Sequence, residues 1–313
     1  MIPDKLVPLG ATGLQVTELG LGLAPIGGLY ADVDDEQARA AVDRGWDHGL
    51  RLFDTAPLYG YGRSERRTGA ALRCRAGHVL STKVGRVLHT TGSGDGGQEF
   101  WAGVDPAVTP VFDYSAAGVR RSLADSLERL GVDRVDIAHL HDPDDHLDEA
   151  VAQAYPEMVR MKSEGLIGAI GAGANSGAVL AYLLERVELD VVLLAGRYTL
   201  LDRAGRALLD LAARQGVPVI AAGVFNSGIL ADPQPGARFN YSEADPALVA
   251  RALALKELCE AAGVPLRAAA IQFAARHPAV ATVLVGVRAA QEVDDAVAMA
   301  AHPIPDELWD RLG

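Results

Sequence analysis

Cysteine is nearly absent, with only Cys74 and Cys259 in 313 residues. The two lie far apart in helix-like stretches, so they cannot form a framework of bridges or a CxxC metal knuckle. Buried thiols in a reducing compartment are the expectation. Cations are in deficit as well, with 29 Lys and Arg against 41 Asp and Glu for a formal net charge of −12. That sign is wrong for tracking phosphate backbones or anionic lipid, so neither nucleic acid nor membrane is an expected partner. No run reaches the roughly 18 apolar residues of a membrane span. The opening MIPDKLVPLG has no basic segment ahead of an apolar run, and a cytoplasmic location is expected.

What is present fits an ordinary globular enzyme: 49% apolar and 22% charged residues, with 34 glycines and 16 prolines dispersed along the chain. The length suits one large single-core fold, taken as a single domain over 1–313. Short β-branched or leucine-rich runs alternate with amphipathic runs, the signature of repeated βα units. Eight strands are expected, at Leu19–Leu23, Leu50–Asp54, His78–Lys83, Arg134–His141, Ile167–Ala172, Asp190–Leu194, Pro218–Ala222 and Thr282–Gly286. Helices are expected at Asp35–His48, Ser64–Arg73, Ser115–Leu130, Leu147–Ser163, Gly177–Glu185, Arg203–Arg214, Pro246–Ala262 and Ala289–Ala300. Asp34 and Ser115 are start signals, and Gly131 is a stop signal.

Eight strand–helix pairs specify an α/β fold, the (β/α)8 TIM barrel. A doubly wound dinucleotide fold would need a glycine fingerprint that GLGLAPIGG does not space correctly. The segment PLGATGLQVTELGLG reads as an N-terminal β-hairpin plugging the barrel floor. Two long connections, Gly85 to Asp113 and Phe225 to Asp245, follow strands and are therefore expected on the active-site face.

Three expected strands end on titratable groups: Asp54, Lys83 and His141, with Tyr59 just beyond Asp54. Strand ends converge on a barrel, so one pocket is expected to hold all four. A free phenol with a pKa near 10 is a poor base, and a neighbouring ammonium would lower it. Lys83 is placed to do so, Asp54 to keep the lysine charged, and His141 to orient a substrate oxygen. Together they compose a proton-transfer site.

At these residues the sequence resembles the aldo-keto reductase superfamily. The resemblance covers nearly the whole chain: LGLGLAPIGG, FDTAPLYGYGRSE, STKVGR, IAHLHDPD, GAIGAGAN, AGRYTLLDR and VLVGVRAAQEVDDA occur in family order. It implies Tyr59 as general acid/base, tuned by Lys83 and Asp54, with His141 positioning the carbonyl or hydroxyl. It further implies a nicotinamide cofactor and no metal. Asn175 would hold the carboxamide, Tyr198 would stack on the ring, and amides around Phe225, Asn226, Ser227 and Gly228 would meet the pyrophosphate. Gly286, Arg288, Glu292 and Asp295 would hold the adenosine half. The chain departs from the common pattern at Gly173-Ala174-Asn175, which lacks the usual serine, and at Ala195, where a glutamine is usual.

A 2′-phosphate calls for a basic fork and a ribose diol for a carboxylate. The last helix offers Gln291, Glu292, Asp294 and Asp295 with Arg288 as the nearby cation, which favours NAD over NADP. Within the superfamily the chain most resembles the sugar 1-dehydrogenases, such as D-threo-aldose (L-fucose) dehydrogenase, with L-galactose and pyridoxal dehydrogenases as relatives. The resemblance thus implies oxidation of an anomeric C1 hydroxyl to a lactone. A carbonyl reductase using NADPH, and a nucleotide-binding regulatory subunit without turnover, are the alternative readings. Trp101 is a candidate for stacking on a sugar, and His139 and Asp142 are further candidates for substrate contact. A metal centre on His139 and His141 would need more histidines at later strand ends than the sequence supplies. A monomer or homodimer acting on a small-molecule sugar or aldehyde is expected.

Overall fold

A computed structural model describes residues 1–90 and 100–313. The glycine-rich part of the first long connection, residues 91–99, lies outside the described residues. A hairpin of β1 (Leu6–Pro8) and β2 (Gln15–Thr17) precedes the barrel. The chain then runs β3 (Leu19–Gly22), α1 (Asp35–Asp47), β4 (Leu52–Asp54), α2 (Arg63–Leu72), β5 (Val79–Val84), β6 (Arg86–Thr90), β7 (Val108–Phe112), α3 (Ala116–Leu130) and β8 (Val135–His141). Next come α4 (Leu147–Glu149), a π-turn over Ala150–Ala154, α5 (Tyr155–Ser163), β9 (Ile167–Ala174), α6 (Gly177–Leu184), β10 (Val191–Ala195), α7 (Arg206–Gln215) and β11 (Val219–Ala222). The remainder is β12 (Arg238–Phe239), β13 (Ser242–Glu243), α8 (Pro246–Glu260), α9 (Leu266–Ala275), β14 (Val280–Gly286), α10 (Ala290–Ala301) and α11 (Asp306–Leu312).

β3, β4, β5, β8, β9, β10, β11 and β14 close into one parallel barrel in that order. All eight expected strands are its staves. The expected caps operate: the Asp34 carboxylate accepts from Gln37 N at 2.7 Å, and Ser115 Oγ accepts from Gly118 N at 3.0 Å. Gly131 ends α3 in the left-handed region at φ 68°.

Six elements were not expected: β6, β7, α9, α11 and the β12–β13 pair of the second long connection. The first long connection is no plain loop, because β6 and β7 pair antiparallel from Arg86↔Phe112 to Thr90↔Val108. The helix before β14 is α9, with α8 packed outside it among Leu266, Phe273 and Trp309. Every residue of α9 except Arg267 and Ala275 is buried, so it lacks the polar stripe that marks a surface helix in sequence. The short α11 was also missed. Of the two expected buried thiols, Cys259 is buried but Cys74 is exposed.

Alternation along the strands sets which residues face the barrel axis. Leu52, Val79, Ile137, Ala169, Val191, Ile220 and Leu284 fill the interior, and the hairpin adds Leu9 and Val16 from below. Asp54, Lys83 and His141 share the parity of Leu52, Val79 and Ile137. They therefore face the same axis, displaced toward the C-terminal rim. Between strands and helices lies the larger core, including Phe53, Leu123, Ile170 and Val283.

Candidate active site

The register of β4 against β5 sets Asp54 beside Ser81, and that of β5 against β8 sets Lys83 beside His139. Asp54 is buried; its Oδ2 accepts from Lys83 Nζ at 2.6 Å and its Oδ1 from Ser81 Oγ at 2.8 Å. Lys83, 1% exposed, also donates to the Thr55 carbonyl at 2.9 Å. A buried charge pair is tolerated when its remaining donors and acceptors are satisfied, and Ser81 and Thr55 do that here.

Tyr59 is carried by a tight turn in which Gly60, Tyr61 and Gly62 all have positive φ. At Gly60 the constraint is steric as well: a β-carbon there would stand 2.0 Å from the Gly27 carbonyl oxygen. The Tyr59 ring meets the His141 ring edge-on at 5.9 Å between centroids, and Lys83 Nζ stands 4.7 Å from the Tyr59 ring centre. Asp54, Tyr59, Lys83 and His141 are thus brought together as expected. Tyr61 is buried beside Leu58 and Trp101.

Electrostatically the tyrosine differs from expectation. Its hydroxyl is held well above the usual phenol range, first by burial, then by the Asp54 and Asp142 carboxylates, with Arg86 opposing. The Lys83 ammonium nearest the ring is itself paired with Asp54. His141 is held well below the usual imidazole range by burial and by the Arg86 and Lys83 cations, so it is neutral. A neutral imidazole still has one N–H to donate. Its backbone carbonyl is gripped by the Tyr114 hydroxyl.

A cavity of about 500 Å3 runs from Asp54 and Tyr59 to Arg288 and Asp295, within the range of small-molecule and cofactor sites. Asn175, Phe225, Asn226, Ser227, Gly228, Gly286 and Glu292 line it as expected. Phe225 (φ −92°) is followed by Asn226 and Ser227 in the left-handed region. Two amides of this turn are already engaged: Asn226 N donates to the Gly223 carbonyl at 2.9 Å and Gly228 N to the Phe225 carbonyl at 3.0 Å. The Asn226 side chain itself is structural: it accepts from Thr199 Oγ1 at 2.6 Å and donates to the Gly196 carbonyl at 3.0 Å.

Other expectations are corrected. Tyr198 is not among the cavity-lining residues; its ring packs on Phe273 at 5.1 Å and edge-on to His277 at 5.7 Å, because α9 occupies that side. His139 is fully buried below the rim, and burial beside Lys83 pushes its pKa down to about 3, so it is core and not a substrate contact. Gly171 makes room for it: a β-carbon there would lie 2.2 Å from His139 Nδ1. Arg288 is not the one cation at its end of the cavity, since Arg267 of α9 also lines it and grips Asp295 at 2.8 and 2.9 Å. Glu292 holds Arg288 by its side chain at 3.0 Å and its backbone N–H at 2.8 Å.

Trp101 lies beside Tyr59 at 5.9 Å and is buried. Asp142 lies 3.5 Å from His141 Nε2. Sequence reasoning missed Ser81, Arg86 and Tyr241. Arg86 stands inside the STKVGR motif yet outside the expected strand. Tyr241, from the second long connection, lines the cavity, stacks on Phe100 at 5.4 Å and lies within hydrogen-bonding reach of Asn175. The residue is 44% exposed, and the protein surrounding its hydroxyl pushes that group up to about 12. Nothing local marks such a residue, because its position depends on the path of a loop. No group of three or more His, Cys, Asp or Glu among the described residues could hold a metal ion.

A sequence profile of the aldo/keto reductase family matches residues 18–313. Pyridoxal 4-dehydrogenase of Microbacterium luteolum is 41% identical, over 97% of this chain and 95% of that protein. D-threo-aldose 1-dehydrogenase of Pseudomonas sp is 38% identical, over 96% and 94%. Among solved structures, the holo form of an aldo-keto reductase from Bacillus halodurans superposes with a TM-score of 0.81 at 27% identity, over 99% of this chain and 95% of that one.

Proposed function

Because the chain belongs to the aldo/keto reductase family, we propose that it is a single-domain NAD(P)-dependent dehydrogenase oxidising the anomeric hydroxyl of an aldose to the lactone. The observation that carries this reading is Tyr59, flanked by the Lys83–Asp54 pair and by a neutral His141 at one end of a dinucleotide-sized cavity. A nicotinamide dinucleotide bound there supplies the hydride acceptor for C1. Tyr59 accepts the proton of the C1 hydroxyl, and in the reverse direction returns it to the carbonyl. His141 donates its one N–H to the reacting oxygen and fixes its orientation.

Asn175 is assigned to the carboxamide, the Phe225–Gly228 turn to the pyrophosphate, and Gly286, Arg288, Glu292 and Asp295 to the adenosine half. NAD is the favoured form. Glu292 and Asp295 occupy the two nearby cations, leaving no free fork for a 2′-phosphate among the described residues. The higher identity to a pyridoxal 4-dehydrogenase favours pyridoxal as the second reading.

The test is absorbance at 340 nm with NAD+ or NADP+ against L-fucose, L-galactose, D-arabinose, L-glucose, pyridoxal and simple alcohols. Signal with a group of aldoses and NAD+ is expected. Signal with pyridoxal alone would replace the aldose by pyridoxal. Silence on all of them, with NADPH consumed by aldehydes, would make the protein a carbonyl reductase.

A further inference from the structure

Arg86 opens β6 two residues after β5, and Asp142 follows His141 at the rim of β8. Neither is among the residues lining the dinucleotide cavity, but both stand close enough for Tyr59 to feel their charges. Arg86 is nine-tenths buried; one terminal nitrogen donates to Asp142 Oδ2 at 3.1 Å, and the guanidinium carbon lies 4.0 Å over the centre of the Phe112 ring. The same Asp142 oxygen is 3.5 Å from His141 Nε2. Asp142 holds a left-handed φ of 49°, and its N–H is tied to the Gly173 carbonyl at 2.9 Å.

Two features are unexplained by stability. Nε of Arg86 is buried with no hydrogen-bond partner among the described residues, a group that in a finished interior would be expensive to leave unmet. A non-glycine residue in the left-handed region at a strand end is strain of the kind held at functional sites. The Trp101 ring centre stands 5.9 Å from that of Tyr59.

We propose that Arg86 and Asp142 are the donor and acceptor that recognise the ring hydroxyls of a polyhydroxylated substrate while Trp101 covers its apolar face. A guanidinium gives hydrogen bonds and cannot accept them, and a carboxylate accepts and cannot give them. A vicinal diol satisfies both at once, with charge-assisted bonds on each side. This inference rests on the aldose reading and adds which side chains select the sugar.

The experiment compares L-fucose with 2-hydroxytetrahydropyran, which keeps the anomeric hydroxyl and lacks every other one, both oxidised with NAD+. In Arg86→Gln and Asp142→Asn the ratio of kcat/KM for the sugar over the bare hemiacetal is expected to fall about tenfold or more, mainly through KM for the sugar. The ratio cancels any change in the shared proton transfer. Asn tolerates the left-handed backbone at 142, and Arg86→Lys, keeping the charge without the fork, is expected to recover part of the ratio. A fall of less than tenfold in both variants, with wild type turning over L-fucose, would overturn the pair's role and leave the aldose reading standing. A wild type with no aldose turnover would overturn the reading itself, and the pair's role with it.

Discussion

The proton chemistry is decided at single residues. Tyr59 sits between two ion pairs, Lys83–Asp54 and Arg86–Asp142, and its hydroxyl is held protonated above the usual range. On the proposed mechanism oxidation needs the phenolate, whose fraction grows tenfold per pH unit below the pKa. The oxidation rate is therefore expected to climb from about pH 6 to about pH 9, while reduction, which needs the phenol, stays level over the same range. A flat oxidation profile would remove Tyr59 from the proton path. Asp142 raises the Tyr59 pKa, so Asp142→Asn is expected to move the oxidation profile toward acid. For Tyr59→Phe the expected loss in kcat is about a hundredfold or more, with NAD binding retained in a fluorescence titration; undiminished turnover would contradict the assignment. The identity of these residues was legible, since each strand end carried its titratable group in sequence. The direction of the tyrosine shift was not, because burial and the two carboxylates act through space.

At the scale of elements, close packing explains what local pattern could not. Helices α2 and α3 touch at Gly69, where a β-carbon would lie 2.0 Å from the Leu130 carbonyl oxygen. Gly69→Ala must push the helices apart, and a loss of about 1–3 kcal/mol in urea unfolding is expected; unchanged stability would mean the contact relaxes freely. The eight staves were readable from apolar runs and their flanking signals. Helix α9 was not, because a segment buried nearly all round has no amphipathic period. The β6–β7 hairpin was hidden for a related reason, since its pairing joins residues separated by the long first connection.

Over the whole molecule, the hairpin at the barrel floor and the catalytic rim are separate tasks of one interior. Leu9 is fully buried under the barrel, far from the catalytic rim. Leu9→Ala is expected to cost about 2–5 kcal/mol, with KM for NAD+ and sugar unchanged in the surviving folded enzyme; a raised KM would show that the floor shapes the site. By itself the sequence determined the barrel, its strand order and the four polar groups at the strand ends, because hydrophobic period, caps and side-chain parity are local properties that close packing only reads out. The tertiary structure alone decided that Arg86 pairs with Asp142, that Arg267 reaches Asp295, that Tyr198 packs on Phe273 and that Tyr241 takes a place in the cavity. Those contacts join segments distant in the chain, and their geometry is fixed by the closed barrel and the loops it supports, which no local pattern encodes.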